Sequence, residues 1–210
     1  MGDITGSGKL DARDAQDALR SLVDGVNTAH APQILSPLTI TLGDEFQGVC
    51  RSFESVIEII FAFERARIDK MSPFRLHYAA VIGPIDTAIN PEIAHGMLGA
   101  GLTEARRRLT ARRRGRAWVE LDRAASAEMS ILGHVMAVAD SILARWKRRD
   151  YPLIAHLLRE GSDAAVGKEV GKTRSQIYKR RRTLMIDDII ALETAAKGLA
   201  RLIDGERASR

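Results

Sequence analysis

The apolar positions of the first half fall into two rhythms. Residues 11–29 carry Ala15, Leu19, Leu22, Val23 and Val26, and residues 53–69 carry Val56, Ile59, Ile60, Phe63 and Ala66. Steps of three and four put each set on one side of a helix. Asp11 or Asp14 can cap the first of these. Between them, residues 34–50 read as a hairpin. An apolar, β-branched climb through Thr39-Ile40-Thr41-Leu42 reaches a Gly43-Asp44-Glu45 tip, and an apolar run resumes from Phe46 to Val49. Pro37 sits in its early, edge-tolerant part. Residues 74–83 alternate and then become continuously apolar, as in a central strand closed by Gly83-Pro84. His77 within that run reads as a hydrogen-bonded strand histidine. An arginine-rich helix follows Gly99, and Arg116–Leu121 forms a last strand.

The predicted order is β-α-β-β-α-β-α-β, an α/β (α+β) arrangement of the ferredoxin-like kind with an antiparallel sheet. A strand of apolar residues is expected before Gly2-Asp3, where Met1 alone stands. Beyond the sheet, Met129, Leu132, Met136, Ile142 and Trp146 mark a long connecting helix over 124–147. Its methionines read as core or dimer packing. Leu153–Leu158 is a short helix, and 186–203 is a final one carrying Ile189, Ile190, Leu192, Leu199 and Leu202, able to pair two subunits. The expected units are residues 1–122, a connector over 123–150, and an all-α unit over 151–210.

Charge changes the picture of that last unit. The 210 residues carry 32 Lys and Arg against 27 Asp and Glu, but the first ninety-five or so are acidic on balance. Basic runs then follow at Arg106–Arg108, Arg112–Arg114, Lys147–Arg149 and Lys179–Arg182. Such asymmetry points to a polyanion partner, against the alternative of a solvated arginine-rich face. The segment Asp163–Arg182 has the spacing of a helix-turn-helix. Val166 and Val170 share one face, Gly171 supplies a turn residue tolerant of positive φ, and Thr173 caps the second helix. Ile177 and Leu184 face inward. Arg174, Ser175, Gln176, Lys179 and Arg180 then face outward where base edges are met, and Lys172, Lys179, Arg181 and Arg182 suit phosphates. Gly167, where alanine is commoner, lowers helix propensity but allows close packing. The expected partner is DNA, bound by a homodimer because one such motif reads few base pairs.

A lone cysteine, Cys50, excludes an internal disulfide or thiolate cluster and is expected to pack in the core. No apolar run has transmembrane length, and no basic-then-apolar signal opens the chain; a cytoplasmic protein is expected. Gly6-Ser7-Gly8-Lys9 does not complete a P-loop, because Asp3 stands where the first glycine belongs and Leu10 follows the lysine.

The hairpin acids Asp44 and Glu45 are either a solvated turn or a place to hold a divalent cation on rigid strands. The pairing of Gly2-Asp3-Ile4 with Gly43-Asp44-Glu45-Phe46-Gln47-Gly48, together with Ser7, Arg13 and Gly99–Arg106, resembles the SatD family. The two Asp motifs also resemble the palm of class III and GGDEF nucleotidyl cyclases. That resemblance implies a cyclase-like palm in which Asp3, Asp44 and Glu45 hold Mg²⁺. It implies a nucleotide near Ser7, Arg13, Gly43, Thr103 and Arg106 or Arg107. The base-selecting lysine of class III cyclases falls at Ile40, their helix asparagine at Thr103, and the first GGDEF glycine at Leu42.

The reading that follows is a DNA-binding transcriptional regulator whose palm-like N-terminal unit senses a nucleotide or metal and turns over weakly. The alternatives are an active nucleotidyl cyclase or nucleotidyltransferase with an attached DNA-binding module, and a catalytically dead palm used for dimerisation.

Overall fold

The computed structural model describes residues 1–5, 11–111, 118–122, 124–159 and 161–208, save the side chain of Arg207. Ser7, Arg112–Arg114 and Arg116, named above, lie outside the described residues. The chain is mixed α/β, in the order β1 (Gly2–Thr5), α1 (Ala12–Ala29), β2 (Ile34–Leu42), β3 (Glu45–Cys50), α2 (Phe53–Asp69), β4 (Arg75–Ala79), α3 (Ala100–Thr110), β5 (Val119–Glu120), α4 (Ala127–Leu143), α5 (Tyr151–Arg159), α6 (Asp163–Val170), α7 (Arg174–Thr183) and α8 (Ile186–Ala208). The first eight elements follow the order read from the sequence.

The sheet runs β2-β3-β1-β4-β5. β1 pairs antiparallel with both β3 and β4, β2 pairs antiparallel with β3, and β4 pairs parallel with β5. The unit β1-α1-β2 therefore encloses β3, and β3-α2-β4 encloses β1. Alternation along the strands sends Ile4, Phe46, Leu76 and Tyr78 into the core, while Asp3, Glu45 and His77, matched in register, share the other face. Of the predicted strand over 74–83, residues 75–79 form β4 between β1 and β5, and the Ala80 amide still bonds the Glu120 carbonyl at 3.0 Å.

Local chemistry fixes the helix starts. The Asp11 carboxylate accepts from the Arg13 and Asp14 amides at the head of α1. At α2, Asp204 of α8 accepts from the Phe53 and Glu54 amides, both at 2.9 Å, a negative charge on the positive end of the helix dipole. α8 buries Ile186, Ile189, Ala196, Ala200 and Ile203 and packs on α2 and α4 of the same chain. One buried cluster runs from Ile4 to Ile203, with Cys50 packed partly buried against it.

An ion pair sits inside that cluster. Arg67 and Glu64 are 1% and 3% exposed. The Arg67 guanidinium donates to Glu64 at 2.7 and 2.9 Å and to the Tyr151 hydroxyl at 2.5 Å. Tyr78 of β4 adds its hydroxyl to Glu64 at 3.4 Å. Sheet, α2 and α5 thus share one polar knot in an apolar surround, where a charge is tolerated only when paired.

Candidate functional site

Two places gather the residues singled out from the sequence. The first is the corner where the β2–β3 turn meets β1. Leu42 pairs with Glu45 across the two-residue turn Gly43-Asp44, and Gly43 takes φ +42°, the sign that favours glycine at the first turn position. The Ile4 amide donates to the Asp44 carbonyl at 3.1 Å, so the turn is bonded to β1. Asp3 lies directly opposite Glu45 on one side and His77 on the other. Asp44 is exposed. Arg106 of α3 reaches Glu45 at 3.2 Å.

The neighbouring residues divide. Arg107 is held by Glu104 at 2.6 Å, the exposed Thr103 donates its hydroxyl to the Gly99 carbonyl at 3.2 Å, and Arg13 is exposed at the start of α1. Ile40 pairs with Phe46 and packs partly buried against the core. Among the described residues no group of three or more His, Cys, Asp or Glu side chains comes together as a metal cluster. A Mg²⁺ ion needs only one or two carboxylates when phosphates and water complete its octahedron. Asp3 with Asp44 or Glu45 is a donor set of that size.

The second place is α6, α7 and the turn between them. Ser162 caps α6, and Gly171 ends it at φ +66°. The turn is tight: a Cβ on Gly167 would stand 2.6 Å from the Lys172 carbonyl oxygen. The Thr173 hydroxyl accepts from the Gln176 amide at 3.2 Å, and the Gln176 side-chain oxygen accepts from the Thr173 amide at 2.9 Å. This reciprocal capping box is legible in the Thr-Arg-Ser-Gln spacing, a signal overlooked when Gln176 is read only as a base contact. Val166 and Ile177 are fully buried and hold α6 against α7.

The basic residues of α7 then separate. Lys172, Thr173, Arg174, Ser175, Gln176, Lys179 and Arg182 are exposed. Arg180 is half-buried and bonded to Asp150 at 2.7 Å. Arg181 is buried and pairs with Asp163 at 2.6 Å and Asp187 at 3.1 Å. Burial opposes its charge, but the hydrogen bonds to those two carboxylates outweigh it and raise its pKa. Arg181, expected at a phosphate, is thus bound to α6 and α8. Tyr178, 55% exposed, stands one turn from Arg174 and from Arg182. It went unnoticed in the sequence because it follows the buried Ile177. On an apolar-to-basic boundary an exposed tyrosine offers a flat surface beside the cations.

Among the described residues no single helix is long and apolar enough to cross a membrane. The family model described as SatD family matches residues 1–181. No curated protein and no solved structure matches the chain.

Proposed function

The chain belongs to the SatD family, and on that premise we propose that it is a DNA-binding transcriptional regulator. In this reading α6 and α7 form a helix-turn-helix, and the sheet unit is a cyclase-like palm that senses a nucleotide with Mg²⁺ and turns over weakly. The observation that carries it is the exposed basic face of α7, which begins at a capped, glycine-turned helix start and projects Arg174, Lys179 and Arg182 outward. Arg180 and Arg181 support the same reading by a different route. Their ion pairs with Asp150, Asp163 and Asp187 fix the helix on its scaffold, so the outward side chains are held rather than searching.

The palm assignment is supported by the strand order β2-β3-β1-β4, the ferredoxin-like order, and by Asp3 facing Glu45 beside the Asp44 turn. Weak turnover follows from Ile40, which is packed on the core and offers no polar group to a base. A dimer spans two half-sites about 34–36 Å apart in such regulators. Because α8 buries its apolar face against α2 and α4, the large apolar side chains it leaves exposed, among the described residues, are Ile190 and Leu202.

Fluorescence anisotropy with genomic fragments at several salt concentrations tests the reading. Counterion release makes log affinity fall linearly with log salt. Absence of binding to any fragment even at low salt sinks it.

A further inference from the structure

Two polar flanks run along α7 on either side of its buried Ile177, and the fold uses one of them. Steps of four and three put Gln176, Arg180 and Thr183 on the first flank. There the Gln176 oxygen accepts from the Thr173 amide at 2.9 Å, Arg180 donates to Asp150 at 2.7 Å, and the Thr183 hydroxyl donates to the Lys179 carbonyl at 2.8 Å. Steps of four put Arg174, Tyr178 and Arg182 on the second flank. All three are exposed. Among the described residues no hydrogen bond or ion pair ties their side chains.

Gln176 thereby loses the role its residue type suggests. Reading adenine takes both ends of the amide, the oxygen accepting from N6 and the nitrogen donating to N7. The bond to Thr173 turns that oxygen back on the helix start. The side chains left to meet base edges stand on the other flank.

Tyr178 is the one large apolar side chain left exposed on α6 and α7 among the described residues. A ring left in water forgoes the stabilisation of burial, and its neighbours one turn to either side are arginines. α7 rises about 1.5 Å per residue, so Tyr178 stands about 6 Å along the helix from Arg174. Successive bases on one strand are about 3.4 Å apart. A helix lying in the major groove thus brings Tyr178 to a base pair one or two steps from the one Arg174 meets. In that groove an arginine suits the N7 and O6 acceptors of guanine, and the apolar group on offer is the C5-methyl of thymine. On the reading of α7 as a DNA-binding helix, we propose that Tyr178 reads a thymine. Its ring packs on the C5-methyl, one or two base pairs from the guanine that Arg174 contacts.

Anisotropy on preferred fragments tests this with one change in the protein and one in the DNA. Tyr178→Ala removes an exposed side chain, so its melt should match wild type. Its affinity for preferred fragments should fall about tenfold or more, the loss of a buried ring. Its salt slope should stay that of wild type, since no phosphate contact is removed, and Tyr178→Phe should bind as wild type does. Replacing the thymines of a preferred fragment by uracil, one at a time, removes single methyl groups. At one position this should weaken wild type about fourfold and leave Tyr178→Ala unaffected. The proposal is overturned if wild type ignores uracil at every position, if Tyr178→Ala loses as much to uracil as wild type does, or if it binds preferred fragments as tightly. A wild type that discriminates among fragments yet ignores both changes sinks the thymine contact alone. A wild type that binds no fragment sinks the DNA-binding reading, and the contact with it.

Discussion

Arg181 and Arg182 are adjacent and chemically identical, yet replacing them should have opposite consequences. The Arg181 side chain is 9% exposed and pairs with Asp163 at 15% exposure and with Asp187 at 67%. Arg181→Ala leaves the Asp163 carboxylate nearly buried without that partner. Breaking a fully buried pair costs about 3–5 kcal/mol, while an exposed one is worth about 1 or less. Asp163 also gains from the α6 N-terminal dipole, by about 0.3–1 kcal/mol, which softens the loss. The expected cost is about 2–3 kcal/mol, or roughly 4–12 °C in Tm for a chain of this size. Arg182 is exposed, so Arg182→Ala should change stability by less than about 0.5 kcal/mol. It should instead reduce the slope of log affinity against log salt by about one unit. Thermal melts and salt-dependent anisotropy of both variants read these effects. A destabilised Arg182→Ala, or an unchanged melt for Arg181→Ala, would refute the division of labour drawn for α7.

Gly167→Ala gains about 1 kcal/mol of helix propensity, but its methyl meets the Lys172 carbonyl and overpacking costs about 1–3 kcal/mol; a urea midpoint shifted down with unchanged slope is expected, and an upward shift contradicts the close approach. For the chain starting at Met1, the unfolded amine titrates near 8.0 and the folded one near 6. The unfolded state thus binds more protons between those values, and stability should rise from pH 6 to pH 8 by on the order of 2 kcal/mol. N-terminal acetylation should flatten that part of the profile; an unchanged profile rules out the buried ammonium as its source. If the sheet unit senses a nucleotide as proposed, a nucleoside triphosphate should raise Tm only with Mg²⁺, by about 2.7 kcal/mol of apparent stability at a hundredfold excess over Kd. Asp3→Asn should abolish the Mg²⁺-dependent part, and a panel in which no triphosphate shifts the wild type removes the sensor reading.

The helices over 12–29 and 53–69 and the hairpin were legible because their apolar periods are long, and Asp11 stands at the boundary of the first. The extent of the strand at 74–83 was not, since pairing depends on how far its neighbours reach rather than on its own residues. The fates of Arg180 and Arg181 were hidden for a related reason. A basic run fixes composition, but burial and ion pairing depend on Asp150, Asp163 and Asp187, which packing brings in from other helices. The same holds for α8, whose apolar period announces a buried face without saying whether the cover is α2 and α4 or a second subunit.

The central claim is that the start of α7 reads DNA sequence. It is tested most directly by titrating wild type and Arg174→Ala against the same set of genomic fragments at fixed salt. Wild type should prefer some fragments strongly. The substitution, which removes an exposed side chain outside the core, should cost about 1–3 kcal/mol on those fragments and little on the rest. Equal wild-type affinity for every fragment, with no effect of Arg174→Ala, would contradict it.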